Sequence, residues 1–248
     1  MDLLNIIGFI SIGLAIFFGA PDLRMEPLAY LDLDSFVLVF FGSLSCLFLS
    51  SSSSEIKDLM KSIIKKEKEA KVDPNETIKL MTELAKNARG NLTNALSDFN
   101  KVQNLPFLKE AEKMVSAGLD RNFIQETLQN KINEKAKKTI AIHQKIKLLA
   151  TYSTMFGMAG TVMGVIQVLK DVKDINNIIV GLSLALLTTL YGIFLSNIIY
   201  LPWAKRVEEL IKKETLNKNI MKEGIYMLMN KELPIKLRYY LSSYASKK

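Results

Sequence analysis

One cysteine and one histidine are all that the 248 residues contain. Cys46 alone excludes a disulfide framework or a cysteine-rich metal site within one chain. His143 alone means that a histidine-based zinc or triad site would need ligands of other kinds; its ordinary role is that of a polar residue on a juxtamembrane helix. No GxxxxGK loop, HExxH or Cys-x-x-Cys occurs, so no enzyme motif is present and no enzymatic activity is expected. Charge is missing altogether from four long runs, 3–21, 35–54, 148–169 and 175–204. Each is long enough for a hydrocarbon core, which takes about 20 helical residues, and this excludes a soluble globular protein.

Charge is abundant elsewhere. Residues 55–147 hold 19 Lys+Arg against 13 Asp+Glu, and 205–248 hold 11 against 5, whereas the rest of the chain holds 3 against 7. Lysine and arginine collect on cytoplasmic flanks, and the clusters lie at Lys57, Lys61, Lys65, Lys66 and Lys68, at Lys135 to Lys147, and at Lys205 to Lys213. The run at 3–21 is expected to stay as a span, because no positive residue precedes it and no small-x-small cleavage pattern follows it. The expected fold is therefore an all-α integral membrane protein with four spans and both termini in the cytoplasm. A transmembrane hairpin (1–54, spans about 3–21 and 35–54) is followed by a cytoplasmic helical domain (55–147). A second hairpin (148–204, spans about 148–169 and 176–204) leads into a cytoplasmic C-terminal helix and tail (205–248). Nucleic-acid binding does not fit, since the basic residues flank spans and interleave with acids.

The charged segments read as helix. Apolar residues from Met81 to Phe99 recur every three or four positions after Asp73, a plausible N-cap, and Pro74. Pro106 opens an element that ends at Gly118. Asp120 then caps a helix with Ile124, Leu128, Ile132, Ala136 and Ile140 on one face, expected to run unbroken into the third span. Lys205 to Met229 reads as another helix, and Ser51–Ser54 as interfacial helix at the end of the second span.

The last two spans contain no Asp, Glu, Lys, Arg or His. Intramembrane ionisable groups mark ion pathways, so these spans cannot relay ions by titration of their own side chains. They do carry small and hydroxyl residues: Ser153, Thr154, Gly157, Gly160, Thr161 and Gly164, then Gly181, Ala185, Thr188, Thr189, Gly192 and Ser196. Such stripes let helices approach closely, and hydroxyls can bond across the contact. Gly157, Gly160, Gly164, Gly181, Ala185, Gly192 and Ser196 are candidates for packing, within the chain or against a partner helix. Thr161 and Thr189, with Thr154 and Thr188, are candidates for a groove that meets a carboxylate supplied by another chain.

The run Phe156 to Gly164, followed by Ala185 to Gly192 and Asn197 to Pro202, resembles the MotA flagellar stator subunits of the MotA/TolQ/ExbB family. The order of two spans, a cytoplasmic insert, two spans and a basic tail is similar to the MotA plan. That resemblance implies a pentamer around the helices of a MotB-type dimer in the bacterial inner membrane. The dimer is anchored to peptidoglycan, and its Asp carries the ion. It implies no cofactor, transported H+ or Na+, and torque on the rotor protein FliG. Pro202 then matches the coupling proline of span four, and Arg89 and Asp98 are the candidates for rotor contact.

Two positions depart from the family pattern. Ser153-Thr154-Met155 stands where a proline is common. Ser97 occupies the place of the rotor-facing acid, so Asp98 replaces it only if the helix breaks near Gly90. Two other functions stay open: a TolQ/ExbB-like energiser of outer-membrane processes and a non-conducting membrane scaffold.

Overall fold

Proline opens three of the described α-helices, at Pro74, Pro106 and Pro234. A first-turn residue needs no N–H donor and benefits from a φ already set near the helical value. The structure, a computed structural model, describes residues 3–19, 25–64, 73–88, 91–103 and 105–245. Among these there is helix and no strand. The helices are α1 (Leu3–Gly19), α2 (Leu33–Leu49), α3 (Ser53–Ile64), α4 (Pro74–Asn87), α5 (Leu92–Gln103), α6 (Pro106–Ser116), α7 (Arg121–Lys170) and α8 (Ile175–Phe194). A π-helical turn (Leu195–Tyr200) joins α8 to α9 (Leu201–Met229), and α10 (Pro234–Ala245) closes the described chain.

The chain divides into two compact units: Met1–Ser50 with Lys147–Pro202, and Ser51–Ile146 with Trp203–Lys248. Three helical stretches, Pro27–Leu49, Arg121–Lys170 and Ile175–Met229, are long and apolar enough to cross a membrane. α1 is apolar but has 17 residues.

In the first unit α2 packs on α8. Ser35, Val39, Ser43 and Leu47, one residue per turn, are its buried face. Two serines can line that face because helix pairing in lipid depends on close approach rather than apolar area. α2 ends at Leu49, short of the expected 54. The serines after it form a new start: Ser52 N–H donates to Glu55 Oε2 at 2.8 Å, and Glu55 N–H to Ser52 Oγ at 3.3 Å. This capping box begins α3 instead of prolonging α2. It also holds the Glu55 carboxyl below the usual range, chiefly through the Ser52 N–H, with Lys145 adding to it at 3.5 Å.

The second unit is built around Met81, Leu84, Leu96, Leu108, Ile124, Leu128, Ile220, Met221, Ile225, Leu237 and Leu241. Asp73 occupies the N-cap of α4 as expected, without a side-chain cap bond; its carbonyl takes the Thr77 N–H at 2.9 Å. Three expectations change here. The apolar series from Met81 to Phe99 belongs to two helices, since α4 ends at Asn87 and α5 starts at Leu92. The presumed tail contains α10, which packs on α4 through Leu237 and Leu241. Gly118, with φ 70°, ends the turn after α6, and Asp120 caps α7 by accepting the Asn122 N–H at 2.9 Å. Along α7 the expected face holds to Ile132, but Ile140 is exposed. A strict four-residue repeat drifts about 40° per step, and burial passes to Ile142 and Ile146.

Lys231 is the one described non-glycine residue with positive φ, 56°, in the turn after α9. Its N–H goes to Leu228 O at 3.0 Å and that of Glu232 to Met227 O at 3.1 Å, the pattern of a helix-ending motif that favours glycine. Lys231→Gly is expected to stabilise the protein by about 1 kcal/mol, read as a higher midpoint in thermal unfolding.

Candidate functional site

The glycine stripe lies in the contact between α7 and α8 of this one chain. A Cβ at Gly157 would meet the Thr188 carbonyl at 3.0 Å, and one at Gly181 the Gly164 carbonyl at 2.7 Å. At Gly164 it would come within 2.8 Å of Ala185, at Gly192 within 2.7 Å of the Ser153 carbonyl, and at Gly160 within 2.6 Å of the Thr188 methyl group. Ala185 and Ser196 are buried as well. These residues, expected as candidates for packing within the chain or against a partner helix, are engaged inside the chain. The glycines let two backbones meet where any side chain would hold them apart.

The four threonines separate. Thr188 is fully buried in the seam, and its hydroxyl donates to Leu184 O at 2.7 Å and Ala185 O at 3.1 Å. It therefore does not belong with the outward-facing set. Thr189, its neighbour, stands about 100° further round the helix and is half-buried. Its Oγ1 lies 3.4 Å from the Gly157 carbonyl across the seam and 3.2 Å from Ala185 O on its own helix. Thr161, also half-buried, donates to Met158 O at 2.6 Å, with Gly157 O at 3.3 Å. The Gly157 carbonyl lies within 3.4 Å of both the Thr161 and the Thr189 hydroxyl, which come from two helices. Thr154 donates back to Ala150 O at 3.3 Å, one turn below on α7. A carbonyl can only accept, so each of these hydroxyls commits its single proton to the main chain and keeps lone pairs for another donor.

One polar cluster was missed from the sequence. Asp32 caps α2 by accepting the Ser35 N–H at 2.8 Å and the Ser35 hydroxyl. Its own N–H donates to the Tyr191 hydroxyl at 2.9 Å, which in turn donates to Tyr30 O at 2.6 Å. Asp-Leu-Asp-Ser before an apolar run is a readable helix start. Nothing in the chain order links it to Tyr191.

Pro202 stands one residue after the start of α9, immediately beyond the π turn. In the second unit, His143 Nδ1 donates to the Ala204 carbonyl at 2.8 Å, consistent with a structural role. Glu208 accepts from Lys212 at 2.6 Å and Lys205 at 3.2 Å, which holds its carboxyl down to about 2. That carboxylate keeps its charge until the pH falls below the ordinary carboxylate range. Asp98 is exposed and pairs with Lys101 at 3.0 Å. Arg89 lies outside the described residues, so its spacing to Asp98 is not defined. Among the described residues no group of His, Cys, Asp and Glu is arranged to hold a metal ion.

With this geometry in view, the profile of the MotA/TolQ/ExbB proton channel family matches residues 100–220. The uncharacterized protein YtxD of Bacillus subtilis is 29% identical over 226 residues, covering 88% of this chain and 80% of that protein. Motility protein A of Borreliella burgdorferi is 26% identical over 220 residues, covering 88% and 84%. The structure of C. jejuni MotAB contains a chain of the same fold, with a TM-score of 0.84 at 24% identity and coverage of 100% and 97%.

Proposed function

We propose that this chain is a member of the MotA/TolQ/ExbB proton channel family, whose profile matches residues 100–220, and that it is the stator subunit of a bacterial flagellar motor, coupling ion flow to torque. With a MotB-type partner it forms an ion-driven rotary channel in the inner membrane. Five copies surround a partner dimer, and the partner's Asp binds the ion. The four uncharged runs cross the membrane, with the two basic segments in the cytoplasm.

One observation carries this reading. The α7–α8 pair is closely fitted and edged with hydroxyls, yet residues 148–169 and 175–204 contain no Asp, Glu, Lys, Arg, His or Cys. An ion route built on it must borrow its acid. Thr161 and Thr189 commit their protons to main-chain carbonyls, so what they offer a partner is lone pairs. These suit the O–H of a protonated carboxyl, a hydronium ion or a sodium ion. We take the ion to be H+; a requirement for sodium in flux measurements would reassign it. One charge crossing 100 mV supplies about 2.3 kcal/mol, which a close-packed seam can direct into rotation. On the rotor side, the Asp98–Lys101 pair is exposed, and exposed pairs contribute little, up to about 1 kcal/mol. Asp98 can therefore exchange Lys101 for a cation of FliG.

Thr161→Val removes the outward lone pairs at near-constant shape, and Thr189→Leu fills the edge of the seam. Each is expected to lower ion flux and swimming torque about tenfold, the rate equivalent of one hydrogen bond, with the complex still assembled. Unchanged flux and torque in both would instead favour the non-conducting scaffold.

A further inference from the structure

At the inner end of the fourth uncharged run the helix leaves α geometry. Across Leu195–Tyr200 it is a π turn, and the Leu201 N–H donates to the Ser196 carbonyl, five residues back. The Asn197 carbonyl would take the Leu201 N–H in an α-helix, or that of residue 202 in a π turn. The first is engaged by Ser196, and the second does not exist, because residue 202 is proline. The Asn197 side chain adds to the effect. Its Nδ2 donates to the Ile193 carbonyl at 3.1 Å, which leaves Oδ1 as an acceptor, and the residue is exposed.

One exposed residue therefore carries two acceptor oxygens, a main-chain carbonyl that neither Leu201 nor Pro202 fills and Oδ1, in a run without charge. Backbone that departs from the α-helix at membrane depth is stable where it is buried in protein or lines water. Asn197 is not buried within this chain. We infer that Asn197 is a relay site for a hydrated monovalent cation, hydronium or sodium, on the cytoplasmic side of the ion route. Its main-chain carbonyl and Oδ1 accept hydrogen bonds from the ion's water, or contact sodium directly, after the ion leaves the partner acid. The site rests on the stator reading and adds to it the inner exit that the seam threonines do not supply. The π turn and Pro202 then act together, since the turn diverts one donor and the proline removes the next.

The test uses the full chain assembled with its partner and carrying Cys46→Ser. Asn197→Cys in this background is expected to react with a charged, membrane-impermeant thiol reagent. Reaction only with a membrane-permeant maleimide would place the residue in lipid and overturn the inference. Asn197→Leu covers the carbonyl with an apolar side chain and is expected to lower flux about tenfold, with Asn197→Gln retaining more of it; unchanged flux in Asn197→Leu would also overturn the site. Absence of flux in the parent complex would count against the stator reading instead. Thiol accessibility is read without flux and keeps the two failures distinct.

Discussion

Gly192→Val is expected to abolish swimming and to prevent recovery of a folded, detergent-stable protein. A Cβ at this position would lie 2.7 Å from the Ser153 carbonyl and 3.1 Å from the Gly157 Cα. Both are backbone atoms, so no rotamer change relieves the clash and α7 and α8 must separate. Overpacking costs about 1–3 kcal/mol where side chains can adjust, and more is expected where they cannot. Separation is especially damaging in lipid, where close packing rather than a hydrophobic force joins the helices. Gly164→Val should behave alike, since its Cβ would come within 2.8 Å of the Ala185 amide nitrogen. Gly13→Val is the control: nothing lies within 4 Å of a Cβ there, and a folded, detergent-stable protein should be recovered.

The second large effect lies in the other unit. Lys218 Nζ is 2.6 Å from Glu214 Oε1, with side chains 11% and 10% exposed, and the ammonium stands 6.0 Å from the centre of the Phe107 ring. Glu214→Leu removes the carboxylate from beside a buried ammonium. Breaking a buried pair from one side costs about 3–5 kcal/mol, and Lys218→Met should cost a similar amount. The double variant Glu214→Leu/Lys218→Met removes both charges of the pair and is expected to recover part of that loss. Thermal unfolding of all four proteins closes the cycle. Equal losses that simply add would mean that the two side chains do not depend on each other.

The sequence was informative wherever one residue decides local geometry. Pro106, Gly118 and Asp120 mark the boundaries of α6 and α7. The absence of a proline between Arg121 and Lys170 allows the single long α7, whose internal glycines are tolerated because their neighbours fill the space. The start of α3 was also readable, as a Ser-x-x-Glu pattern at Ser52 and Glu55, but the serine run obscured it. Where a contact between distant segments decides, reading failed. Periodicity placed Gly157, Gly160 and Gly164 on one face without saying that α8 of the same chain covers it. It grouped Thr188 with Thr189, although one turns into the seam and the other reaches its edge. The α4–α5 break needed more than the apolar spacing, which continues through it. Pro202 signalled a disturbed helix, but whether the helix would kink or widen depends on which carbonyl Leu201 reaches.

Ion flux into liposomes under an imposed potential tests the borrowed acid most directly, with this chain reconstituted alone and together with its MotB-type partner. The account predicts negligible flux from the chain alone, flux with the partner, and its loss when the partner's intramembrane Asp is changed to Asn. Flux from the chain alone equal to that of the complex would contradict it.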